Sequence, residues 1–260
     1  MKYLRYSGAG NMFLLADNRS GVFESQAVSA LCAQAGVDGV ITLESSACAD
    51  ASMRIFNRDG SEAEMCGNGL RCFIHFLKEL GVDKARYQIE TLAGIQEGWL
   101  CGEEVCIRLA PPSQLRLDLP YDLYFLNTGV PHAVLLIETV ENIAVDEIGR
   151  ALRFSPLFAP AGANIDFACQ GSDGSLKVRT YERGVEAETL ACGTGVTASA
   201  LIAHKVLGLP SPIKVHVRSG QTLTVFFNSD WSEVILQGPV TPEGVWDLVL
   251  KDQIHIMAAT

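Results

Sequence analysis

Cys66 and Cys192 each sit in a Cys-Gly-X-Gly turn that opens an apolar, helix-like run: EAEMCGNGLR over residues 62–71 and EAETLACGTGVT over residues 186–197. A helix start carries unpaired backbone N–H groups and roughly half a positive charge. A cysteine placed there ionises more easily, and the thiolate is its reactive form. The glycines Gly67, Gly69, Gly193 and Gly195 let the backbone turn tightly and let a ligand come close. The same amides can hold a carboxylate. One such turn reads as an ordinary helix cap. Two, one in each half and each preceded by Glu-Ala-Glu, lead us to expect a duplicated fold with two thiols facing one another across a shared cleft. That arrangement suits removal of a proton from one face of a carbon and its replacement on the other. An α-hydrogen beside a carboxylate needs a matched base and stabilisation of the charge that develops. No metal or pyridoxal motif is needed for this, and none is seen; we expect no cofactor and no metal ligands.

The elements that must position these turns repeat as well. YLRYSGAGNMFLLAD opens the first half and YFLNTGVPHAVLLIE the second. Helical spacing follows over residues 25–35, with Val28, Leu31, Cys32 and Ala35 on one face, and over residues 142–152, with Val145, Ile148 and Leu152. The strands VDGVITL and ANIDFA come next, then MRIFN and LKVRTYE with a period of two. After each cysteine turn an apolar stripe runs to a glycine. Leu70, Phe73, Ile74, Leu77 and Leu80 stop at Gly81, and VTASALIAHKVL, apolar nearly all round and hence buried, stops at Gly208. Three strands close each half: YQIET, GIQEGWL and EEVCIRL, against KVHVR, TLTVFF and EVILQ. The expected fold is therefore α+β, with two pseudo-symmetric domains, each a curved sheet or barrel around a central helix. The domains are expected at 1–115 and 116–248, joined by APPSQLRLDLP over residues 110–120. The residues from about Val249 lack a counterpart and are candidates for crossing back onto the first domain.

The chain has 260 residues, a hydrophobic share of 48%, a charged share of 19% and a net charge of −10, which describe a well-buried globular protein with no basic stripe for nucleic acid. No apolar run approaches the ~18 residues that span a bilayer, and Gly and Asn break the N-terminal segment before a signal-like core builds up. A cytoplasmic protein with no membrane partner is the expectation. Of the eight cysteines, Cys32, Cys48, Cys72, Cys101, Cys106 and Cys169 read as small core residues. Their spacing suits neither a disulfide framework nor zinc. His132 also leaves Cys–His nucleophilic catalysis open, though that would not explain the second cysteine turn. A Cys66–Cys192 disulfide in an oxidised sample would report proximity.

The segments GAGNMFLLAD, RIFNRDGSEAEMCGNGLRC, NTGVPHAV, ANIDFA and YERGVEAETLACGTG, spread in order over nearly the whole chain, resemble the diaminopimelate epimerase family. That resemblance implies cofactor-independent inversion of LL-diaminopimelate to the meso form, in the making of lysine and peptidoglycan precursors. It implies that Cys66 and Cys192 are the two bases, and that the backbone amides of Gly67–Asn68 and Gly193–Thr194 hold the carboxylate at the reacting centre. Asn11, Asn57, Asn164 and Arg183 match substrate-binding positions, with the Arg183 guanidinium suited to the distal carboxylate. Glu182 matches a residue beside the reacting amino group, and His132 and Glu182 match positions that tune the thiols. Taken alone, Asn57 and Asn164 would be strand-end turn residues and His132 a core histidine. Enzymes of this resemblance are commonly dimers, so a homodimer is expected.

The internal repeat sets Asn11 at the position of His132, Asn57 at that of Glu182, and Asn164 close to that of Asp38–Gly39. Two positions depart from the family pattern: Gly39 stands where Gln is usual, and Val130 where Asn is usual. Loss of two polar contacts predicts looser selectivity. The competing readings are a racemase or isomerase of the same fold acting on another amino acid, such as glutamate, aspartate or proline, and a non-catalytic protein that captures an amino acid.

Overall fold

The computed structural model describes residues 1–246, so the segment from about Val249 lies outside the described residues. The first half runs β1 (Tyr3–Gly8), β2 (Asn11–Asp17), α1 (Val28–Ala35), β3 (Gly39–Glu44), β4 (Ala51–Asn57), β5 (Glu62–Ala63), α2 (Gly67–Glu79), β6 (Tyr87–Thr91), β7 (Gly94–Cys101) and β8 (Glu104–Leu109). The second runs β9 (Ser113–Arg116), β10 (Leu123–Asn127), β11 (Pro131–Leu136), α3 (Val145–Arg153), β12 (Asn164–Gln170), β13 (Leu176–Glu182), β14 (Ala187–Thr189), α4 (Gly193–Leu207), β15 (Ile213–His216), β16 (Thr222–Phe227) and β17 (Val234–Trp246).

Strand pairing carries the duplication through both halves. β1/β2 is antiparallel, β2/β3 parallel, β3/β4 and β4/β5 antiparallel, and β4/β6 parallel. β10/β11, β11/β12, β12/β13, β13/β14 and β13/β15 follow in the same senses. Each parallel step is crossed by a helix, α1 and α2 in one half and α3 and α4 in the other, because parallel neighbours cannot be joined by a tight turn. The result is α+β, and in each half the sheet wraps one central helix: α2 packs on β1 to β4, and α4 on β10 to β13 with β15 and β16.

The two central helices are buried for different reasons. α4 is enclosed from Gly195 to Ala203, as its nearly all-apolar sequence requires. α2 buries Leu70, Cys72, Phe73, Ile74, Phe76 and Leu77 together with the charged Arg71, whereas Leu80 of the expected stripe is exposed. Both helices end on a left-handed glycine, Gly81 at φ 84° and Gly208 at φ 74°, a conformation that carries no Cβ penalty there.

Two compact units emerge: Met1–Gln96 with the chain from Val240, and Glu97–Pro239. The sequence repeat divides the chain elsewhere, and strand pairing gives the reason. β8 pairs with the first part of β17, Leu109 opposite Val234 through Glu104 opposite Pro239, whereas the second part of β17 pairs with β1, Val240 opposite Gly8. The proline-bearing stretch expected as a linker holds strand β9, which pairs with β10. Of the cysteines expected in the core, Cys32, Cys72, Cys106 and Cys169 are buried. Cys48 is exposed and Cys101 half-buried, because Cys48 lies in the bend between β3 and β4, and Cys101 ends β7 at its hairpin with β8.

Candidate active site

In the first unit the helix start is built by Cys66 as N-cap of α2, with extended backbone (φ −143°, ψ 119°). Its sulfur accepts the Gly69 N–H at 3.4 Å and its carbonyl accepts the Leu70 N–H at 2.8 Å. Gly8 of β1 and Gly69 let the sheet close on this turn: a Cβ on Gly8 would sit 2.6 Å from the Asn68 carbonyl oxygen, and one on Gly69 would sit 2.9 Å from Ile41 Cδ1. Asn68 is held from below by Arg71, a guanidinium with no exposed surface, whose Nη2 donates to Asn68 Oδ1 at 2.8 Å. Asn68 Nδ2 in turn donates to Asn11 Oδ1 at 2.5 Å, at the start of β2. The expected residues Asn11, Gly67 and Asn68 thus gather at the Cys66 turn. Asn57, exposed at the end of β4, instead turns its Nδ2 to Ser61 Oγ at 3.0 Å.

In the second unit Cys192 is N-cap of α4, again extended (φ −117°, ψ 110°). Its sulfur lies 3.4 Å from Thr194 Oγ1. Thr194 Oγ1 lies 2.9 Å from His132 Nε2, and His132 Nδ1 lies 2.7 Å from Asp166 Oδ2. Neither His132 nor Asp166 has any exposed surface. The Thr180 hydroxyl donates to Asp166 Oδ1 at 2.7 Å, so this buried carboxylate has the partners that burial demands. Thr128 Oγ1 donates to the Thr194 carbonyl at 3.0 Å and ties β10's end to the helix start.

Asn164 begins β12 opposite His132 in the parallel β11/β12 ladder. Its Oδ1 accepts the Arg183 N–H at 2.7 Å, and its Nδ2 lies 3.3 Å from His132 Nε2. Glu182, last residue of β13, accepts the Thr189 hydroxyl at 2.7 Å. Burial pushes the Glu182 carboxyl above its ordinary value, against opposing bonds from Thr189 and Cys192 and the charge of His132. Burial likewise pushes the Cys192 thiol well above its ordinary value, and the negative charges of Glu182 and Asp166 add to it. Both effects favour the thiol form of Cys192. Arg183 lines a cavity of about 540 Å³ with Asn127, Pro131, Phe158, Ala161 and Gly162, within the size range of small-ligand sites.

The structure revises part of the repeat correspondence. Strand register pairs Phe13 with Gly39 where it pairs His132 with Asn164, so Phe13, two residues beyond Asn11, occupies the register position of His132. Gly39 has a packing reason of its own, since a Cβ there would lie 2.6 Å from the Phe56 carbonyl oxygen. Asp166, Thr180, Thr128, Arg71, Asn127 and the Thr194 hydroxyl were missed by sequence reasoning. Asp166 did leave a signal: one carboxylate inside an otherwise apolar buried strand needs a partner.

The diaminopimelate epimerase family model matches residues 3–107 and 124–241. Diaminopimelate epimerase of Aquifex aeolicus is 41% identical over 264 residues, covering 92% of this chain and 95% of that protein. That of Chlorobaculum tepidum is 38% identical, covering 90% and 95%. Among solved structures, a phenazine biosynthesis protein of the PhzF family from Bacillus anthracis superposes with a TM-score of 0.72 at 18% identity, covering 94% of this chain and 97% of that one. A probable proline racemase from Agrobacterium radiobacter gives 0.65 at 16% identity, covering 95% and 92% of the respective chains. At such identities these two share the fold.

Proposed function

Because this chain belongs to the diaminopimelate epimerase family, we propose that it converts LL-diaminopimelate to the meso form by a two-base reaction, Cys66 taking the α-proton and Cys192 supplying one to the opposite face. The observation that carries this reading is that both cysteines cap a buried central helix in the same repeated setting, one in each half. Cys66 has a backbone N–H directed at its sulfur, as a thiolate requires. Cys192 is held as the protonated partner by burial and by two carboxylates. Charge developing on the reacting carboxylate would meet the first amides of α2 and α4. Such preorganised donors contribute roughly 3 kcal/mol each. Arg183, in its cavity, suits the distal carboxylate, and Glu182 suits the amino group at the reacting carbon.

The experiment is exchange of the substrate α-hydrogen in heavy water. Deuterium should enter from both stereoisomers, and replacing Cys66 or Cys192 by alanine should abolish epimerisation. Undiminished turnover in either variant would refute the assignment. A looser selectivity is part of the same reading, because Gly39 and Val130 bring no polar side chain where the family pattern has Gln and Asn. Slow racemisation of glutamate or aspartate is the expected sign, and strict activity on diaminopimelate would rule out looser selectivity. Homodimer formation rests on the resemblance and a cytoplasmic setting on the reading of the sequence, and sedimentation of the purified protein reads the first directly. Among the described residues no helix is long and apolar enough to cross a membrane.

A further inference from the structure

The β7–β8 hairpin holds a pair of sulfurs that epimerisation does not use. β7 ends at Cys101, opposite Glu104, and Cys106 lies two residues further along β8. Side chains two residues apart on a strand share a face, so Cys101, Glu104 and Cys106 project from one side of the hairpin. The turn between the strands is Gly102–Glu103, with Gly102 left-handed at φ 64°. Both cysteines are free, and the Cys106 S–H donates to the Cys101 sulfur at 2.9 Å. That contact is only about 0.9 Å longer than a covalent S–S bond of about 2.05 Å. Gln237 faces Cys106 across the β8/β17 ladder. Its Oε1 lies 3.6 Å from the Cys106 sulfur, and its Nε2 donates to Glu104 Oε2 at 2.5 Å.

From this geometry we infer that Cys101 and Cys106 form a thiol–disulfide modification site that reacts with small disulfides. The inference is independent of Cys66 and Cys192 acting as bases. Cys101 is half-buried and Cys106 buried, so a reagent in solvent meets Cys101 first. Burial and the bond to Cys101 push the Cys106 thiol far above its ordinary value, and the charge of Glu104 adds to this. Cys106 therefore keeps its proton and directs it at Cys101, which suits Cys101 as the attacking sulfur. In the first step the Cys101 S–H gives its proton to solvent and the sulfur attacks a disulfide RSSR. The S–S bond of the reagent breaks, a mixed disulfide forms on Cys101, and one RS⁻ leaves and takes up a proton. In the second step the Cys106 sulfur attacks the Cys101 sulfur, and its proton goes to the departing second RS⁻. The protein dithiol is oxidised to one disulfide, and RSSR is reduced to two RSH. The short turn holds Cys106 beside Cys101, so this closure is intramolecular and outruns a second reagent molecule. Glu103 and Glu104 flank the site, which favours a cationic disulfide over an anionic one. Closure removes the Cys106 S–H, and the Cys101 sulfur and Gln237 Oε1 each lose a donor. That loss favours the dithiol and keeps the bridge reversible.

The probe is cystamine, a cationic disulfide, added to the full-length protein. Remaining thiols are blocked with N-ethylmaleimide in urea, and the chain is cut with trypsin without reduction. Both cysteines fall in one peptide, residues 87–108, bounded by Arg86 and Arg108. This peptide should become lighter by two hydrogen masses, and excess cysteamine should restore both thiols. Cys106→Ser should stop at a stable cysteamine adduct on Cys101. Cys101→Ser should leave Cys106 unmodified at times when the wild type has closed. The oxidised wild type should also unfold at a higher urea midpoint than the reduced one, a shift absent in Cys101→Ser. A bridge between Cys66 and Cys192 falls on other peptides and is read separately. A wild-type peptide that carries two maleimides or two cysteamine adducts, at times when exposed Cys48 is already modified, would overturn the inference. So would Cys101→Ser protein that takes up cysteamine at Cys106 as fast as the wild type closes. The wild-type peptide decides the matter even where a variant fails to fold.

Discussion

Gly195 offers a test in which two physical effects oppose each other with known signs. It lies in the first turn of α4, and alanine is the better helix former by about 1 kcal/mol in a helix interior. Propensity alone therefore predicts that Gly195→Ala stabilises the protein. The surroundings predict the opposite. A Cβ at this position would lie 2.3 Å from Asp166 Oδ1, 3.1 Å from its Cγ and 3.2 Å from His132 Cε1. Either the helix start or the buried pair must move by about 1 Å to reach ordinary contact, and overpacking of this kind costs about 1–3 kcal/mol. If the His132–Asp166 bond at 2.7 Å is broken, a further loss of about 1.5–3 kcal/mol follows for a charge-assisted bond. With that bond broken, sterics win and the net loss is about 1.5–5 kcal/mol. Urea denaturation reads this as a lower midpoint at unchanged slope. Lys205→Ala, at an exposed position near the end of the same helix, should stay within about 0.5 kcal/mol of wild type. Activity measured where Gly195→Ala is still fully folded should also fall, because the displaced pair supports Thr194 and Cys192. A Gly195→Ala protein as stable as wild type, or more so, would refute the claim that α4 bears directly on Asp166.

Glu182→Gln should stabilise the protein at pH 8 and lose that advantage near pH 4. Burial raises the folded carboxyl above its unfolded value, so the glutamate's favourable contribution is complete below the ordinary carboxylate range and fades as pH rises through the folded value. Urea midpoints at the two pH values check this, and a gain confined to acid would contradict it. Arg71→Met should raise KM more than it lowers kcat, because the Asn68 amide and with it Asn11 lose their anchor; Arg71→Lys should recover part of the loss in steady-state assays. Iodoacetamide at pH 8 should label exposed Cys48 early. Cys32, pushed up to about 11 by burial, and Cys72, pushed up to about 12, should stay unlabelled until urea unfolds the chain. Peptide mass spectrometry follows all three.

The order of elements was legible because it is written in local periodicity. Both cysteine turns became helix caps, both following helices became the central buried ones, and both ended on the glycines that the sequence offers for left-handed turns. The strands around them followed from alternation. Three features escaped local reading. β9 hides in a stretch with two prolines, since its strand character comes from pairing with β10. β17 continues to Trp246 because its far part pairs with β1, and no window of sequence records a partner more than two hundred residues away. Arg71 sits on the apolar side of α2 because it bonds to Asn68 and the Gly67 carbonyl within its own first turn, which a hydrophobic stripe does not reveal.

The site divides along the same line. Residue type and spacing alone singled out two thiols at two helix starts, since a Cys-Gly-X-Gly turn before an apolar run carries its own geometry. They also supplied the polar residues around them, Asn11, Asn68, His132, Asn164, Glu182 and Arg183, through a resemblance spread along the whole chain. Tertiary structure alone decided which of these touch. His132, Asp166, Thr180 and Thr194 come from three strands and a helix separated by as many as 62 residues. Only strand register and the seating of α4 on the sheet link a buried carboxylate, an imidazole and the Thr194 hydroxyl into one hydrogen-bonded chain that ends at Cys192. Hydrogen-bond direction is a property of such neighbours in space, and a linear sequence does not hold it.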